Sequence, residues 1–277
     1  MSKHQNSAIG DQNRRARSFS RLGLPVALFL VGWVLASCAN LGPAGFSEPA
    51  LRVGVSPDYP PVIFERDGEI VGIEADFAHR LGSDLHRPIE FVEIPFPDLL
   101  DALEAGEIDV VMSGLSSTPD RASRVQFIEP YMEIGQLALI RNRDIGRFGR
   151  IQEIRRPGTR VGFQRGTTGE RYVASSLTRA ASFAFDSVED GLRSLRADRI
   201  DYFIHDAPTV WRIAGGVDNR DLHGLYRPLT TEQISWAVRQ GDPQLATVLN
   251  ATLAHWKREG FVDPIVQRWI PVRITLR

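Results

Sequence analysis

The sequence predicts an α/β protein with two lobes of similar architecture, each built on a parallel-rich sheet, and a ligand cleft between the lobes. Two observations lead to this prediction. From residue 50 onward, strand-like and helix-like segments alternate, which is typical of parallel α/β sheets. One part of the chain also repeats an earlier part. With 277 residues, 43% of them hydrophobic, the chain can bury one large core or two modest ones.

The first elements follow the alternation in order. The predicted strands are RVGVS (52–56) and FVEI (91–94), and the predicted helices are GIEADFAHRLGSDL (72–85) and PDLLDALEAG (97–106). Pro97 suits the first turn of the second helix, since its missing N–H has no helical partner there. Gly106 suits a helix end. The order is therefore strand, helix, strand, helix.

The internal repeat supports two lobes. The segment DLLDALEAGEIDVVMSG (98–114) is identical to DGLRSLRADRIDYFIHD (190–206) at six of seventeen positions. RVGVS (52–56) is likewise echoed by RVGFQ (160–164). Both pairs keep the same order, but their offsets are 108 and 92 residues, so the repeat is not an exact duplication. Shared α/β architecture by itself could produce part of it.

Ligands of open α/β sheets bind beyond the carboxyl ends of the strands. In the first lobe those ends supply the turns that begin at Ser56 and at Ser113. In the second lobe they supply Gln164-Arg165-Gly166-Thr167-Thr168 and the pair His205-Asp206. Each lobe therefore presents a turn rich in glycine and hydroxyl groups, and two such edges facing each other form a cleft.

Arg121 is the first candidate ligand-binding residue. Thr118 and Pro119 form a good N-cap and first-turn pair, so a short helix is predicted to start there. The guanidinium fork of Arg121 can hold a carboxylate through two parallel hydrogen bonds. The alternative is a surface arginine that pairs with Asp120 or Glu129 and contributes little.

Asp206 is the complementary candidate. It follows the buried-looking strand IDYFI, at the position equivalent to Gly114 in the repeat. The alternative is an N-cap for the helix after Pro208, and both roles can coexist. An arginine on one lobe and an aspartate on the other match the carboxylate and ammonium of a zwitterion. Both partners are needed, because desolvated charges cost several kcal/mol unless paired.

Several classes of function are disfavoured. The formal net charge is −1 with well-mixed signs, so no nucleic-acid surface is predicted. The six histidines lack metal-ligand spacing, and RGTTGE (165–170) lacks the lysine and spacing of a P-loop. A catalytic dyad of His205 and Asp206 is not expected, because adjacent strand residues point to opposite faces. We therefore predict no enzyme, no catalytic residue, no metal and no cofactor.

The N-terminus carries an export signal. Basic residues precede the apolar run LGLPVALFLVGWVLA (22–36), and Leu35-Ala36-Ser37-Cys38 resembles the bacterial lipobox. Cys38 is the only cysteine, so no intramolecular disulfide forms. An uncleaved membrane anchor is the alternative, but fifteen residues that include Pro25 are short for a bilayer. We predict a signal peptide at 1–37, lipidation of Cys38, a tether at 38–49, and a mature protein anchored to a membrane outside the cytoplasm.

Taken together, the motifs resemble the family 3 extracellular solute-binding proteins, the polar amino-acid receptors of ABC importers. The resemblance covers about residues 50 to 271. It includes the following segments in order: GIEADFA, ALEAGEIDVVMSGLSSTPDRASRVQFIEPY, RVGFQRGTTGERY, IHDAPTV and LNATLAHWKREGFVDPIVQRWI.

The resemblance implies roles for individual residues. Arg121 would hold the ligand α-carboxylate, with help from Ser116, Gly114 and Thr168, and Asp206 would bind the α-amino group. The aromatic rings of Tyr59 and Phe96 would sandwich the ligand side chain. Ser56 and Thr167 complete the expected ligand-binding set. Ser56 stands where receptors for basic and polar ligands often have Asp, which makes a cationic ligand side chain less expected. Gln164 occupies a ligand-dependent position, and Glu74 replaces a usual Asp without expected consequence.

The implied fold is the type II periplasmic-binding-protein fold. Lobe one would comprise residues 50–138 and 236–277, and lobe two residues 139–235. Crossing strands are expected near 136–141 and 232–238. The implied function is binding of a small amino acid and delivery to an ABC permease in the inner membrane, with hinge closure of the lobes.

Two alternatives remain open. One is a periplasmic enzyme of the cyclohexadienyl dehydratase type on the same scaffold, with Glu170 or His205 as the candidate acid. The other is a ligand-sensing partner of a receptor. Neither the ligand side chain nor the cognate permease follows from the sequence.

Overall fold

The computed structural model describes residues 49–270, and the first of its two large sheets is mixed. In spatial order its strands are β5 (Ile89–Glu93), β1 (Leu51–Val55), β6 (Val110–Val111), β15 (Ala237–Arg239) and β7 (Val125–Phe127). Strand β1 is parallel to β5 and β6, while β15 is antiparallel to β6 and β7. The predicted elements are present: the helices of this part are α1 (Ile73–Leu85), α2 (Leu99–Ala105), α3 (Pro119–Ala122), α8 (Pro243–Glu259) and α9 (Val262–Trp269).

The second large sheet has the same number of strands. In spatial order they are β11 (Ala181–Phe185), β10 (Arg160–Gln164), β12 (Tyr202–Asp206), β9 (Gln136–Arg141) and β13 (Leu222–Leu225). Strands β11, β10 and β12 are parallel, and β9 and β13 complete the sheet in antiparallel fashion. Its helices are α4 (Ile145–Phe148), α5 (Thr168–Ser176), α6 (Val188–Arg196) and α7 (Ala207–Gly215). In each large sheet two of the four strand pairings are parallel, so both sheets are mixed, and the predicted two-sheet α/β fold class is confirmed.

The remaining strands of the described residues form two smaller sheets. A three-stranded antiparallel sheet contains β2 (Asp58–Tyr59), β3 (Ile63–Arg66) and β4 (Glu69–Val71). The other pairs β8 (Met132–Ile134) with β14 (Glu232–Ile234) in antiparallel register. This pair lies in the two segments that run between the large sheets, and Ser116 forms an isolated bridge to Ile234.

The position of the first crossing differs from expectation. Residues 136–141 were expected to cross between lobes, but all six residues of β9 are buried and pair with β12 and β13 inside the second sheet. A strand that is apolar on both faces suits the middle of a covered sheet better than an exposed connection. The crossing therefore lies earlier, at β8.

An aromatic cluster in the first part of the core receives the C-terminal helices. The Phe77 ring on α1 stacks on Trp256 of α8, with 5.8 Å between ring centroids and 15° between planes. Each C-terminal helix also donates an indole N–H to a carboxylate on α1. Trp256 donates to Asp84 and Trp269 donates to Asp76, both at 2.7 Å. The chain therefore returns to the first sheet after leaving the second.

The sequence repeat corresponds to a repeated arginine–aspartate contact. The backbone N–H of Arg52 donates to Asp109 Oδ2 at 2.9 Å, and its guanidinium Nη2 donates to Oδ1 at 2.6 Å. The backbone N–H of Arg160 donates to Asp201 Oδ2 at 2.9 Å, and Nη2 donates to Oδ1 at 2.6 Å. Each contact joins the start of one parallel strand to the start of its neighbour.

A close approach accompanies each of these contacts. A Cβ on Gly54 would lie 2.2 Å from Ile108 Cδ1, and one on Gly162 would lie 2.5 Å from Ile200 Cδ1. A side chain at either position would have to displace the terminal methyl group of its isoleucine. The repeated RVG and Ile-Asp residues are thus explained by packing at one place in each sheet.

Candidate functional site

A cavity lies where the carboxyl ends of strands from the two sheets meet, and it encloses about 370 Å³ of space, part of which is open solvent. All but Ser56 of the residues expected to bind a ligand line it. The lining residues are Asp58, Tyr59, Phe96, Gly114, Ser116, Arg121, Gln164, Thr167, Thr168, His205 and Asp206. Ser56 is buried behind the wall, where its hydroxyl donates to Asp58 Oδ1 at 3.2 Å.

Arg121 is held by the short helix α3. The Thr118 side chain caps this helix as predicted and accepts from the Arg121 backbone N–H at 3.4 Å. The guanidinium donates to the carbonyl of Ser116 at 3.0 Å and to the carbonyl of Gly166 at 3.1 Å. Burial, followed by the nearby Arg171, lowers the pKa of Arg121 to about 10. Arg121 therefore remains a cation at neutral pH in a desolvated place.

The surface alternative for Arg121 is not what the structure shows. Its proposed partners are engaged elsewhere: Asp120 pairs with Arg171 at 2.8 Å, and Glu129 pairs with Lys257 at 3.2 Å. The direct hydrogen-bond partners of Arg121 are carbonyl oxygens. Its guanidinium also lies over the Phe96 ring, 5.4 Å from the centroid. A carboxylate entering the cavity would neutralise this charge.

Asp206 faces the same cavity from the end of β12. It occupies the N-cap position of α7, yet its side chain makes no capping hydrogen bond. Instead Gln136 Nε2 donates to Asp206 Oδ1. Burial raises the pKa of the Asp206 carboxyl, while Tyr59, Gln136 and the positive charge of Arg121 oppose the increase. The two candidate charged residues therefore come from opposite sides and act on each other electrostatically.

Gly114 needs to be glycine for two reasons. Its φ is +65°, and a Cβ would lie 2.4 Å from Cε1 of Tyr59. Its backbone N–H donates to Glu74 Oε2 at 2.5 Å, and the Tyr131 hydroxyl donates to Glu74 Oε1 at 2.7 Å. Burial raises the pKa of Glu74 to about 7, although both hydrogen bonds favour the carboxylate. Glu74, expected to have no consequence, thus holds a residue of the cavity wall.

Ser116 and Thr168 are positioned by neighbours outside the cavity lining. The Ser116 hydroxyl donates to Glu232 Oε2 at 2.7 Å, and Thr230 donates to Glu232 Oε1 at 2.6 Å. The Thr168 hydroxyl accepts from Gln136 Nε2 at 2.9 Å. Gln136 therefore ties together two residues of the second sheet's wall. Sequence patterns missed Gln136 and Glu232 because neither lies in a recognised turn or motif.

Thr167 serves as the N-cap of α5. Its side chain accepts from the Glu170 backbone N–H at 3.4 Å and donates to the Gln164 carbonyl at 2.7 Å. The Glu170 carboxylate accepts from the Gly166 backbone N–H at 2.7 Å. These contacts hold the turn 165–170, so that the first turn of α5 meets the cavity with Thr168.

His205, Gln164 and Asp58, which are not in the expected ligand-binding set, form a chain of hydrogen bonds in the cavity wall. The Asp206 backbone N–H donates to His205 Nδ1 at 2.8 Å, and His205 Nε2 lies 2.9 Å from Gln164 Oε1. Gln164 Nε2 lies 3.4 Å from Asp58 Oδ2. Burial lowers the pKa of His205 to about 4, so its imidazole is neutral at pH 7. Both His205 and Asp206 line the cavity although they are adjacent, since the strand ends there.

Aromatic rings contribute to the wall. The Tyr59 ring lies 5.8 Å from the His205 ring, and burial followed by the charge of Asp206 raises the pKa of the Tyr59 hydroxyl. Phe96 faces Arg121 in the wall opposite the second sheet. Phe64 instead packs edge-on against Trp269, outside the cavity. Tyr59 and Phe96 are therefore the aromatic residues available to a ligand.

Metal sites and membrane-spanning helices are both absent from the described part of the chain. Within residues 49–270 no group of three or more His, Cys, Asp or Glu side chains could hold a metal ion. Across the same residues no helix combines the length and apolar character needed to cross a bilayer. Cys38 and the predicted signal peptide lie outside the described residues.

Residues 51–272 match the family described as bacterial extracellular solute-binding proteins, family 3. The chain is 29% identical to the ABC transporter arginine-binding protein 1 of Escherichia coli (strain K12), covering 80% of this chain and 90% of that protein. It is 26% identical to the ABC transporter glutamine-binding protein GlnH of Bacillus subtilis (strain 168), covering 73% of this chain and 74% of that protein.

A solved structure with a similar fold is that of AncCDT-1, an ancestral amino acid-binding protein and precursor of cyclohexadienyl dehydratase. The TM-score is 0.72 and the identity 29%, with 79% of this chain and 95% of that chain covered. The relatives are thus named as binding proteins, and the amino acids in their names differ.

Proposed function

The chain belongs to family 3 of the bacterial extracellular solute-binding proteins, and from this premise we propose that it binds a small amino acid for delivery to an ABC importer. Its two-lobed architecture is that of the type II periplasmic-binding-protein fold. The family is extracellular, so the binding takes place outside the cytoplasm.

One observation carries the proposal. A half-buried arginine and a buried aspartate line the same cavity from opposite sheets, and the direct hydrogen-bond partners of each are uncharged. The ammonium and carboxylate of an amino acid supply the missing charges in the required order. Arg121 holds the α-carboxylate together with Ser116 and the first turn of α5 at Thr168. Asp206 accepts from the α-ammonium.

Gly114 contributes space rather than a donor. Its N–H is already given to Glu74, so a ligand meets the open face of its α-carbon. Thr167 acts on the ligand through the turn that it caps, and Ser56 acts through Asp58. Tyr59 and Phe96 cover the apolar part of the ligand.

Hinge closure accounts for the two-sided site. We propose the connection β8–β14 as the hinge. Because β9 pairs inside the second sheet, the first boundary lies before it, so that lobe one comprises about residues 50–135 and 236–270 and lobe two comprises residues 136–235. Ligand groups bound on both sides stabilise the closed state relative to the open state. The Arg121 contact with the Gly166 carbonyl spans the two sheets and supports closure.

The test is calorimetry after a thermal-shift screen of the twenty standard amino acids. A ligand at about 100 times its Kd adds roughly 2.7 kcal/mol to the free energy of unfolding, which identifies it. Arg121→Ala and Asp206→Ala are each expected to weaken binding by about 2–5 kcal/mol, because each leaves one ligand charge unpaired.

Two matched controls accompany these variants. Arg165→Ala and Asp186→Asn alter an exposed ion pair near the same cleft whose members do not line the cavity. Both controls are expected to keep wild-type affinity. Undiminished affinity in Arg121→Ala or Asp206→Ala would overturn the assignment, as would a screen in which no amino acid stabilises the protein.

An enzymatic role for the same cleft has weaker support. The dehydratase alternative requires Glu170 or His205 as an acid. The Glu170 carboxylate is engaged by the Gly166 N–H and is not among the residues lining the cavity. His205 is neutral and accepts a backbone hydrogen bond at Nδ1. A binding protein without catalytic activity, metal or cofactor is therefore our proposal.

The N-terminal motif supports anchoring. Signal-peptide cleavage before Cys38 and lipidation of its thiol would tether the binding domain to a membrane through residues 38–49, near an inner-membrane permease. Replacement of Cys38 by Ser is expected to release the protein from the membrane fraction. Retention of the variant in that fraction would contradict the lipid anchor.

A further inference from the structure

We propose that Asp58 receives the ligand side chain and that the ligand is an amino acid with a cationic side chain. This inference rests on the proposed function and specifies its substrate class. It revises the sequence expectation that Ser56, standing where some receptors have an aspartate, makes a cationic ligand less expected. The carboxylate is instead that of Asp58, two positions after Ser56, and the Ser56 hydroxyl donates a hydrogen bond to it at 3.2 Å.

The charges of the wall point to a third ligand charge. Arg121 is the one cation lining the cavity among residues 49–270, and Asp206 and Asp58 are the carboxylates that line it. The ammonium and carboxylate of a zwitterion match Asp206 and Arg121. Asp58 then remains as a negative charge that a neutral side chain leaves unmatched. A positive side chain neutralises it.

The hydrogen-bond chain behind the wall has a fixed direction. A backbone N–H can only donate, so His205 Nδ1 is the acceptor of the bond from Asp206 and carries no proton. The proton of the neutral imidazole is therefore on Nε2, which donates to Gln164 Oε1 at 2.9 Å. With its oxygen engaged, Gln164 shares its amide donors between Asp58 Oδ2 and the Asp186 carbonyl, each at 3.4 Å.

This direction determines what the wall offers a side chain. Gln164 cannot reverse its amide without placing its donors against the Nε2–H of His205. The open hydrogen-bonding capacity at this end is therefore the carboxylate of Asp58, an acceptor. Its two bonds are long, 3.2 and 3.4 Å, and the residue is exposed, so it can reorient towards a ligand. Donor groups are favoured there, and a carboxylate side chain is repelled.

The test compares ligand pairs of matched shape. Arginine and citrulline differ at the end of the side chain by a charged guanidinium and a neutral urea, and lysine and norleucine differ by an ammonium and a methyl group. We expect calorimetry to show arginine or lysine binding at least tenfold more tightly than its neutral partner. In Asp58→Asn the preferred cation is expected to bind roughly 10- to 100-fold more weakly, the range for a hydrogen bond to a charged group. Binding of the neutral partner is expected to change little.

Asp101→Asn is the matched control, because Asp101 is an exposed carboxylate that pairs with Arg124 and does not line the cavity. It is expected to leave every affinity unchanged. If glutamine, citrulline or another neutral amino acid binds more tightly than arginine and lysine, the inference is wrong and the proposed function stands. Equal loss of cationic and neutral ligands in Asp58→Asn would also overturn it. If none of the twenty standard amino acids binds, the proposed function itself fails.

Discussion

The two large sheets are alike where their parallel strands begin and different where those strands end. At the start, Arg52–Asp109 and Arg160–Asp201 make the same contacts at nearly the same distances. At the end, the equivalent positions hold Gly114 in one sheet and Asp206 in the other. Contacts that only support a sheet can be repeated, whereas a ligand with unlike ends requires unlike groups. The ends of the strands that are alike therefore support the fold, and the ends that differ form the ligand site.

The largest expected effect is on the free energy of unfolding, and it tests whether the Arg52–Asp109 and Arg160–Asp201 contacts stabilise their sheets equally. Asp201 is buried, and Arg141, itself buried, lies 3.7 Å from its carboxylate. Asp109 is more exposed; it pairs with Arg52 at 2.6 Å, and the charge of Arg87 also acts on it. Asp201→Ala is expected to lower the free energy of unfolding by roughly 3 kcal/mol, and Asp109→Ala by roughly 1–2 kcal/mol. Chemical denaturation of both variants measures this, and equal losses would contradict the asymmetry.

The next effect is the pH dependence of stability that arises from Glu74, the residue that accepts the hydrogen bond of the Gly114 N–H. Because the pKa of Glu74 is raised from 4.5 to about 7 in the folded state, folding takes up a proton between these values. Stability is therefore full below about pH 4.5 and decreases as the pH rises through about 7, by up to about 3 kcal/mol from this residue. Asp206, whose pKa is also raised, acts in the same direction.

The variant Glu74→Gln separates the contribution of Glu74 to the pH dependence of stability from that of Asp206. The amide can accept from the Gly114 N–H and donate to the Tyr131 oxygen, so the geometry is kept while the titration is removed. Urea unfolding from pH 4.5 to 8 is expected to show a smaller decrease in stability for this variant than for the wild type. Identical pH profiles would show that Glu74 does not titrate with folding.

The smallest effect is on ligand affinity, from an ion pair that joins the two lobes outside the cavity. Arg171 and Asp120 form an ion pair at 2.8 Å between α5 and α3, and both side chains are exposed. Such pairs contribute about 0.2–1 kcal/mol and are weakened by salt. Arg171→Ala is expected to change ligand affinity less than about fivefold, with a smaller difference from the wild type at 1 M salt. A tenfold loss that persists at 1 M salt would identify this pair as a major closing contact.

Part of the site could be read from local patterns. Thr118 and Pro119 predicted the helix that carries Arg121, and the repeat placed Asp206 opposite Gly114. Asp58, Gln164 and His205 were placed at the ligand-facing ends of the strands but were not assigned to bind the ligand. No helix cap or repeat position singles out Asp58 within its proline-rich turn. His205 follows strand alternation until the strand ends, and only there can its side chain share a cavity with its neighbour.

The alternation of strands and helices, the helix caps and the presence of two similar lobes could be predicted from sequence, because they depend on residues close along the chain and on burial patterns. The tertiary structure decided which charges are paired. Arg121 is adjacent to Asp120 in sequence, yet Asp120 pairs with Arg171, more than fifty positions later in the chain. Gly114 likewise depends on Glu74, forty positions earlier. Ion pairs and buried hydrogen bonds follow distance in space, which folding sets and local sequence does not record.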